Sequence, residues 1–286
     1  MMGNQTLLAM PEPFLEVRIH KTDLDPNLLA VCAGYELGEW RETQFANHVM
    51  QWLPEFALNY QEVRSMSAHN AVALLQKAAR SIYQTDKFQS RGEFGELILH
   101  IILRQCFKTT PAISKIFFKD SRNDTVKGFD SVHVVYDGST LDLYLGEVKF
   151  YTNINRAISD VITELETHTQ SNYLRSEFTA ILNKIDAEFP LATQLKKLLH
   201  SNKSLDTIID SLVIPVLLTY ESDTISQFNR VTEDFKEALE KEVSDNWEKF
   251  ASKGLPKDFR IELILLPLKS KKSFIECLDG MLNKWK

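Results

Sequence analysis

The segment LYLGEVKFY, residues 143–151, sets a carboxylate and an ammonium two positions apart inside an apolar and aromatic run. Residues two apart on a β-strand share a face, so Glu147 and Lys149 are expected to point the same way. Upstream, KGFDSVHVVY brings Asp130 on a second strand-like run, joined to the first by YDGST. Two acids and an amine on one face of a hairpin can hold a hard cation and position a water. The plain alternative is a buried Glu147–Lys149 ion pair with Asp130 exposed at a strand start, although buried ion pairs are weak stabilisers.

Asp137-Gly138 is a strong hairpin turn signal. A loop centred between Gly138 and Ser139 sets Asp130 directly across from Glu147. A two-residue Asp137-Gly138 turn sets Asp130 opposite Leu145 and diagonal to Glu147, still on the same face; a three-residue loop would separate them. Opposed Cβ atoms stand about 5 Å apart. Two carboxylates at ~5 Å repel by roughly 3 kcal/mol at an effective dielectric near 20. A cation between them, or protonation of one, relieves that. Lys149 supplies one charge; a dication supplies more, and oxygen-only ligands favour Mg²⁺ over zinc.

A third acid comes from RGEFGELILHIIL. Glu93 fits a capping box with Ser90, which gives it a structural duty. Glu96 has none. It lies beside Leu99 and Leu103 on a helix apolar nearly all round, hence expected to be buried, and a buried carboxylate needs a partner or a metal. Solvent access at the first turn is the alternative for Glu96, and Glu93 stays open as the residue serving the site.

These residues need elements to hold them. FLEVRIHK (14–21) and LLAVCAGYE (28–36) read as strands, and residues 41–58 and 68–84 as helices. A soft boundary falls near residue 85, dividing an N-terminal region, 1–85, from a larger unit, 86–286. A helix is expected from about Asn153 to His168, with further helices to about residue 200. LVIPVLLTY (212–220) and RIELILLPL (260–268) are continuous apolar runs, the mark of strands buried on both faces. The amphipathic helix between them, roughly 225–252, makes a βαβ crossover and parallel pairing. The fold class is α/β with a mixed sheet.

The chain has 286 residues, with 44% hydrophobic and 25% charged, the balance of an ordinary globular protein. No apolar run approaches the roughly 18 residues of a membrane span, and no secretory signal pattern opens the sequence. Cys32, Cys106 and Cys277 are few and far apart, which points away from disulfides and zinc and towards a cytoplasmic protein. A net charge of −6 argues against coating nucleic acid by bulk electrostatics but leaves room for a local basic surface. Lys115, Lys119, Arg122 and Lys127 offer such a surface, diluted by Asp120 and Asp124. Asn153, Asn155 and Arg156 open a helix whose N-terminus could hold a phosphate. His133 faces away from Asp130 and is expected to be structural. Gln170 and Tyr173 are one residue short of a Q-x-x-x-Y spacing and are set aside.

In order, G-x-x-x-E (Gly92 to Glu96), Gly128-Phe129-Asp130 and Glu147-Val148-Lys149 resemble the PD-(D/E)XK nuclease superfamily over about residues 86–220. Phe129 stands where many members have proline. CAGYELGEWRETQFANHVMQWLPEFAL, RGEFGELILHIIL, KGFDSVHV and LYLGEVKFY together resemble the HamA family, the nuclease component of Hachiman antiphage systems, nearly end to end.

The resemblance implies a restriction-endonuclease-like core, 86–286, behind a family-specific α/β region. It implies Mg²⁺ (or Mn²⁺) bound by Asp130, Glu147, the Val148 carbonyl and Glu96, with Lys149 acting on the attacking water. It also implies a DNA substrate and a heteromeric complex with a HamB-like helicase. An acidic nuclease suits a partner that delivers the DNA. The competing readings are a silent nuclease-like scaffold that docks a helicase or senses DNA, and a restriction-type or RNA-cleaving enzyme.

Overall fold

The computed structural model describes residues 10–82, 92–114 and 128–285. The chain opens with strands β1 (Glu16–Lys21) and β2 (Asn27–Cys32) and a small hairpin, β3 (Tyr35–Glu36) with β4 (Glu39–Trp40). Helices α1 (Glu42–Gln51), α2 (Leu53–Ala57), α3 (Tyr60–Arg64), α4 (Ala71–Ile82) and α5 (Gly92–Cys106) follow. Strands β5 (Thr110–Ser114), β6 (Ser131–Tyr136) and β7 (Leu141–Phe150) lead to helices α6 (Ile154–His168), α7 (Ser171–Lys184), α8 (Ala192–Leu198) and α9 (Leu205–Ile209). Strand β8 (Leu212–Glu221), helices α10 (Asp223–Gln227) and α11 (Glu233–Ala251), strand β9 (Arg260–Leu268) and helix α12 (Lys271–Leu282) complete it.

Seven strands form one mixed sheet in the order β1-β2-β9-β8-β7-β6-β5. The two continuous apolar runs are its central strands, β8 and β9, parallel to each other across the α11 crossover, as their composition requires. β7 is parallel to β8, and β7-β6-β5 run antiparallel. The sheet also crosses the sequence position near residue 85: β2 pairs in parallel with β9, and β1 pairs with β2. β5 escaped the sequence reading, its short TPAIS run interrupted by Pro111; it takes the outer position, where proline is tolerated.

Two glycines set the packing around β7. A Cβ on Gly95 of α5 would stand 2.8 Å from Phe150 Cβ and 3.1 Å from Val148 Cγ2. A Cβ on Gly146 would collide with Ser131 Oγ and come within 2.8 Å of Leu99 Cδ2. Helix α5 therefore lies directly on the Gly146–Val148–Phe150 face of β7. The opposite face, by alternation that of Glu147 and Lys149, meets α6. The β7–β8 ladder pairs Tyr144 with Val213 and Glu147 with Val216 and opens between them, where Pro215 has no N–H to give. From Phe94 to Arg104 every α5 residue is buried, as its all-round apolar sequence predicts. Among the described residues no helix is long and apolar enough to cross a membrane.

Candidate functional site

The hairpin closes in the first of the two expected registers. Ser131 pairs with Gly146 and Tyr136 with Leu141, and Asp130 lies one residue ahead of the first pair. Asp137 fixes the connecting loop by accepting from the backbone N–H groups of Ser139 and Thr140, each at 2.8 Å. Those bonds hold its carboxyl well below the usual range.

Asp130 is anchored twice to β7. Its N–H donates to the Gly146 carbonyl at 2.7 Å, and its Oδ2 accepts from the Val148 N–H at 2.8 Å. Glu147, 1% exposed, meets His168 at the end of α6, with Oε1 and Nδ1 2.5 Å apart. The imidazole is clamped between rings: it stacks on Tyr173 at 4.3 Å and meets the edge of Phe129 at 5.2 Å. Lys149 is ion-paired with Glu164, one turn before His168 on α6. Glu96 reaches the same place from α5.

Glu96, Asp130, Glu147, Val148 and Lys149, the whole set chosen from sequence, line one cavity of about 570 Å³. It lies at the carboxyl ends of the parallel strands, where open α/β sheets bind ligands. Among the described residues no group of three or more His, Cys, Asp or Glu side chains is close enough to hold a metal. Asp130 and Glu147, lining the same cavity, are all-oxygen donors, which fit a hard dication that completes its shell with water and phosphate.

His168, Glu164 and Lys271 also line the cavity and were missed from sequence. Val161, Glu164, Leu165 and His168 form one i, i+3, i+4, i+7 stripe on α6, and its two polar members were the available signal. Tyr173, set aside on spacing, lines it too. Lys271 opens α12; its Nζ lies 4.8 Å from the centre of the Phe150 ring, and burial lowers its pKa. Asn153 caps α6 by accepting from the Arg156 N–H at 2.9 Å. His133 is buried in contact with His100 and Thr109, a structural position as expected. Ser90 of the expected capping box, and Lys115, Lys119, Asp120, Arg122, Asp124 and Lys127, lie outside the described residues.

Comparison with known proteins agrees with the HamA resemblance of the sequence. Anti-bacteriophage protein A of Escherichia coli (strain K12) is 23% identical over 221 residues, 76% of this chain. The match covers 40% of that protein, so the chain spans less than half the length of this relative. The HamA family model matches residues 9–280, nearly the whole sequence. The chain belongs to the HamA family.

Proposed function

We propose that this protein is a metal-dependent deoxyribonuclease acting in defence against bacteriophage, with a restriction-endonuclease-like core and a helicase as partner in the cytoplasm. The observation that carries this reading is the convergence of Asp130, Glu147 and Lys149 on one cavity. Family membership and the name of the bacterial relative, anti-bacteriophage protein A, support the defence role.

Asp130 and Glu147, with the Val148 carbonyl, would hold Mg²⁺ or Mn²⁺, and Glu96 would reach it through water. A dication so held polarises a phosphate and lowers the pKa of a bound water. His168 fixes the orientation of the Glu147 carboxylate, and the Val148 N–H fixes that of Asp130. Glu164 holds the Lys149 ammonium in the cavity, where Nζ can donate to a phosphate oxygen as charge builds on it.

The test is degradation of plasmid and single-stranded DNA, with RNA in parallel, in Mg²⁺, Mn²⁺ and EDTA. Wild type, Glu147→Ala and Lys149→Ala are compared, each with and without the helicase. Cleavage lost in EDTA and in both variants, with unchanged melting, is the expected result; cleavage persisting in both variants ends the proposal.

A second reading is a non-cutting scaffold that docks the helicase or senses DNA. In its favour, Glu147 and Lys149 are both engaged by α6 side chains, and the described residues form no three-ligand metal cluster. Silence of the wild type with helicase and every ion and substrate would establish it.

A further inference from the structure

A second cavity, about 660 Å³, lies at the other end of β6 and shares no lining residue with the first. Asp130, just ahead of β6, lines one; Val135 and Tyr136, at its end, line the other. Its size is that of a small-ligand site.

One wall carries the Glu55 carboxylate. Oε2 accepts from His100 Nε2 and from Arg104 Nε, both at 3.0 Å. Behind His100 the contacts continue through His133 at 3.2 Å to the Thr109 hydroxyl at 2.7 Å, so the carboxylate is held by a buried scaffold. Burial alone would raise its pKa, but His100 and Arg104 outweigh that and keep it ionised. Glu55 Oε1 makes no hydrogen bond among the described residues and is open to a donor.

The other walls are aromatic and apolar. Tyr60 and Phe189 meet edge to face at 6.4 Å, and Tyr136 stands exposed beside the opening. Arg64 and Lys108, both exposed, and Lys184 bring cations to the lining, and Asp186 is the one further carboxylate among its described residues. Lys108 occupies a left-handed backbone position, φ 55°, just after α5, where glycine is the unstrained choice.

An anionic acceptor, flat apolar walls and cations at the mouth select a planar ring that donates a hydrogen bond and bears a negative tail. We infer that this cavity binds a nucleoside phosphate whose base carries an exocyclic amino group. The amino group donates to Glu55 Oε1, the base lies among Tyr60, Tyr136 and Phe189, and the phosphate meets Arg64 and Lys108. A free nucleotide and the phosphorylated end of a strand share this chemistry.

Calorimetric titration of the full chain with AMP, CMP, UMP, adenosine and a 5′-phosphorylated tetradeoxyadenylate tests it. A hydrogen bond to a charged group sets the expected scale: AMP and CMP bind about tenfold more tightly than UMP. Adenosine binds more weakly than AMP, and comparison with the tetranucleotide separates the two sources. The exposed double variant Arg64→Ala/Lys108→Ala, chosen because Glu55 variants risk unfolding, weakens AMP about tenfold. Glu147→Ala binds AMP as wild type does, which keeps this site independent of the nuclease proposal. No binding by any nucleotide at about millimolar concentration, equal binding of UMP and AMP, or full affinity in the double variant would overturn the inference.

Discussion

His168 Nδ1 lies 2.5 Å from Glu147 Oε1, tying the last residue of α6 to the buried middle of β7. The imidazole cannot swing, because Tyr173 covers one face and Phe129 meets it edge-on. The carboxylate is therefore oriented by protein alone. Groups that orient a ligating side chain in this way are worth about 10–100-fold in affinity or activity. His168→Ala is expected to lower cleavage by about that factor. Loss of the bond also costs roughly 1–3 kcal/mol of stability, measurable by urea unfolding. Wild-type cleavage in this variant would remove His168 from the site.

Glu164→Gln tests the other contact from α6. The amide keeps the shape but loses the ion pair with Lys149. Cleavage is expected to drop while the melting temperature holds, since Glu164 is 39% exposed. A rise in cleavage would instead mark Glu164 as a restraint on Lys149.

Gly146→Ala probes the contact of α5 with β7. The new methyl group meets Ser131 Oγ and Leu99 Cδ2, one residue from Glu147. Overpacking of this kind costs about 1–3 kcal/mol and shifts the backbone. Lower stability together with lost cleavage is expected; an unchanged unfolding midpoint would contradict the packing described.

Stability should fall on mild acidification. Burial, with His100 and Arg104 close by, holds His133 well below its ordinary pKa of 6.5, so it stays neutral in the fold. The unfolded chain takes up that proton first, so this contribution is complete above the unfolded pKa and is lost as pH falls below it. His48, lowered by burial, acts in the same sense. Glu55 adds a loss at lower pH, beneath its ordinary value of 4.5. Between pH 7.5 and 5.5 the cost is about 1.4 kcal/mol for one such histidine. Urea midpoints at both values measure it, and His133→Asn should flatten the slope.

The hairpin was readable because alternation and one turn signal suffice to place Asp130 near Glu147, leaving only the register open between two values. Burial of α5 followed from its all-round apolar sequence, and the β8–α11–β9 crossover from two continuous apolar runs. What stayed hidden depends on docking between distant elements. The rotation of α6 on the sheet brings Glu164 and His168 inward, and no local pattern fixes that angle. Tyr173 enters because α7 follows α6 within a few residues, a matter of chain path rather than motif spacing. Pairing of β2 with β9 joins positions more than two hundred residues apart, such as Leu28 and Leu263.

That last pairing bears on how the protein can be divided. Leu28, Leu29 and Ala30 lie alongside Leu263, Ile264 and Leu265, all buried. A fragment begun after residue 85 leaves the backbone of β9 bare along one side, flanked by leucine and isoleucine. Such a margin recruits another strand, so the shortened chain is expected to self-associate rather than stay dispersed.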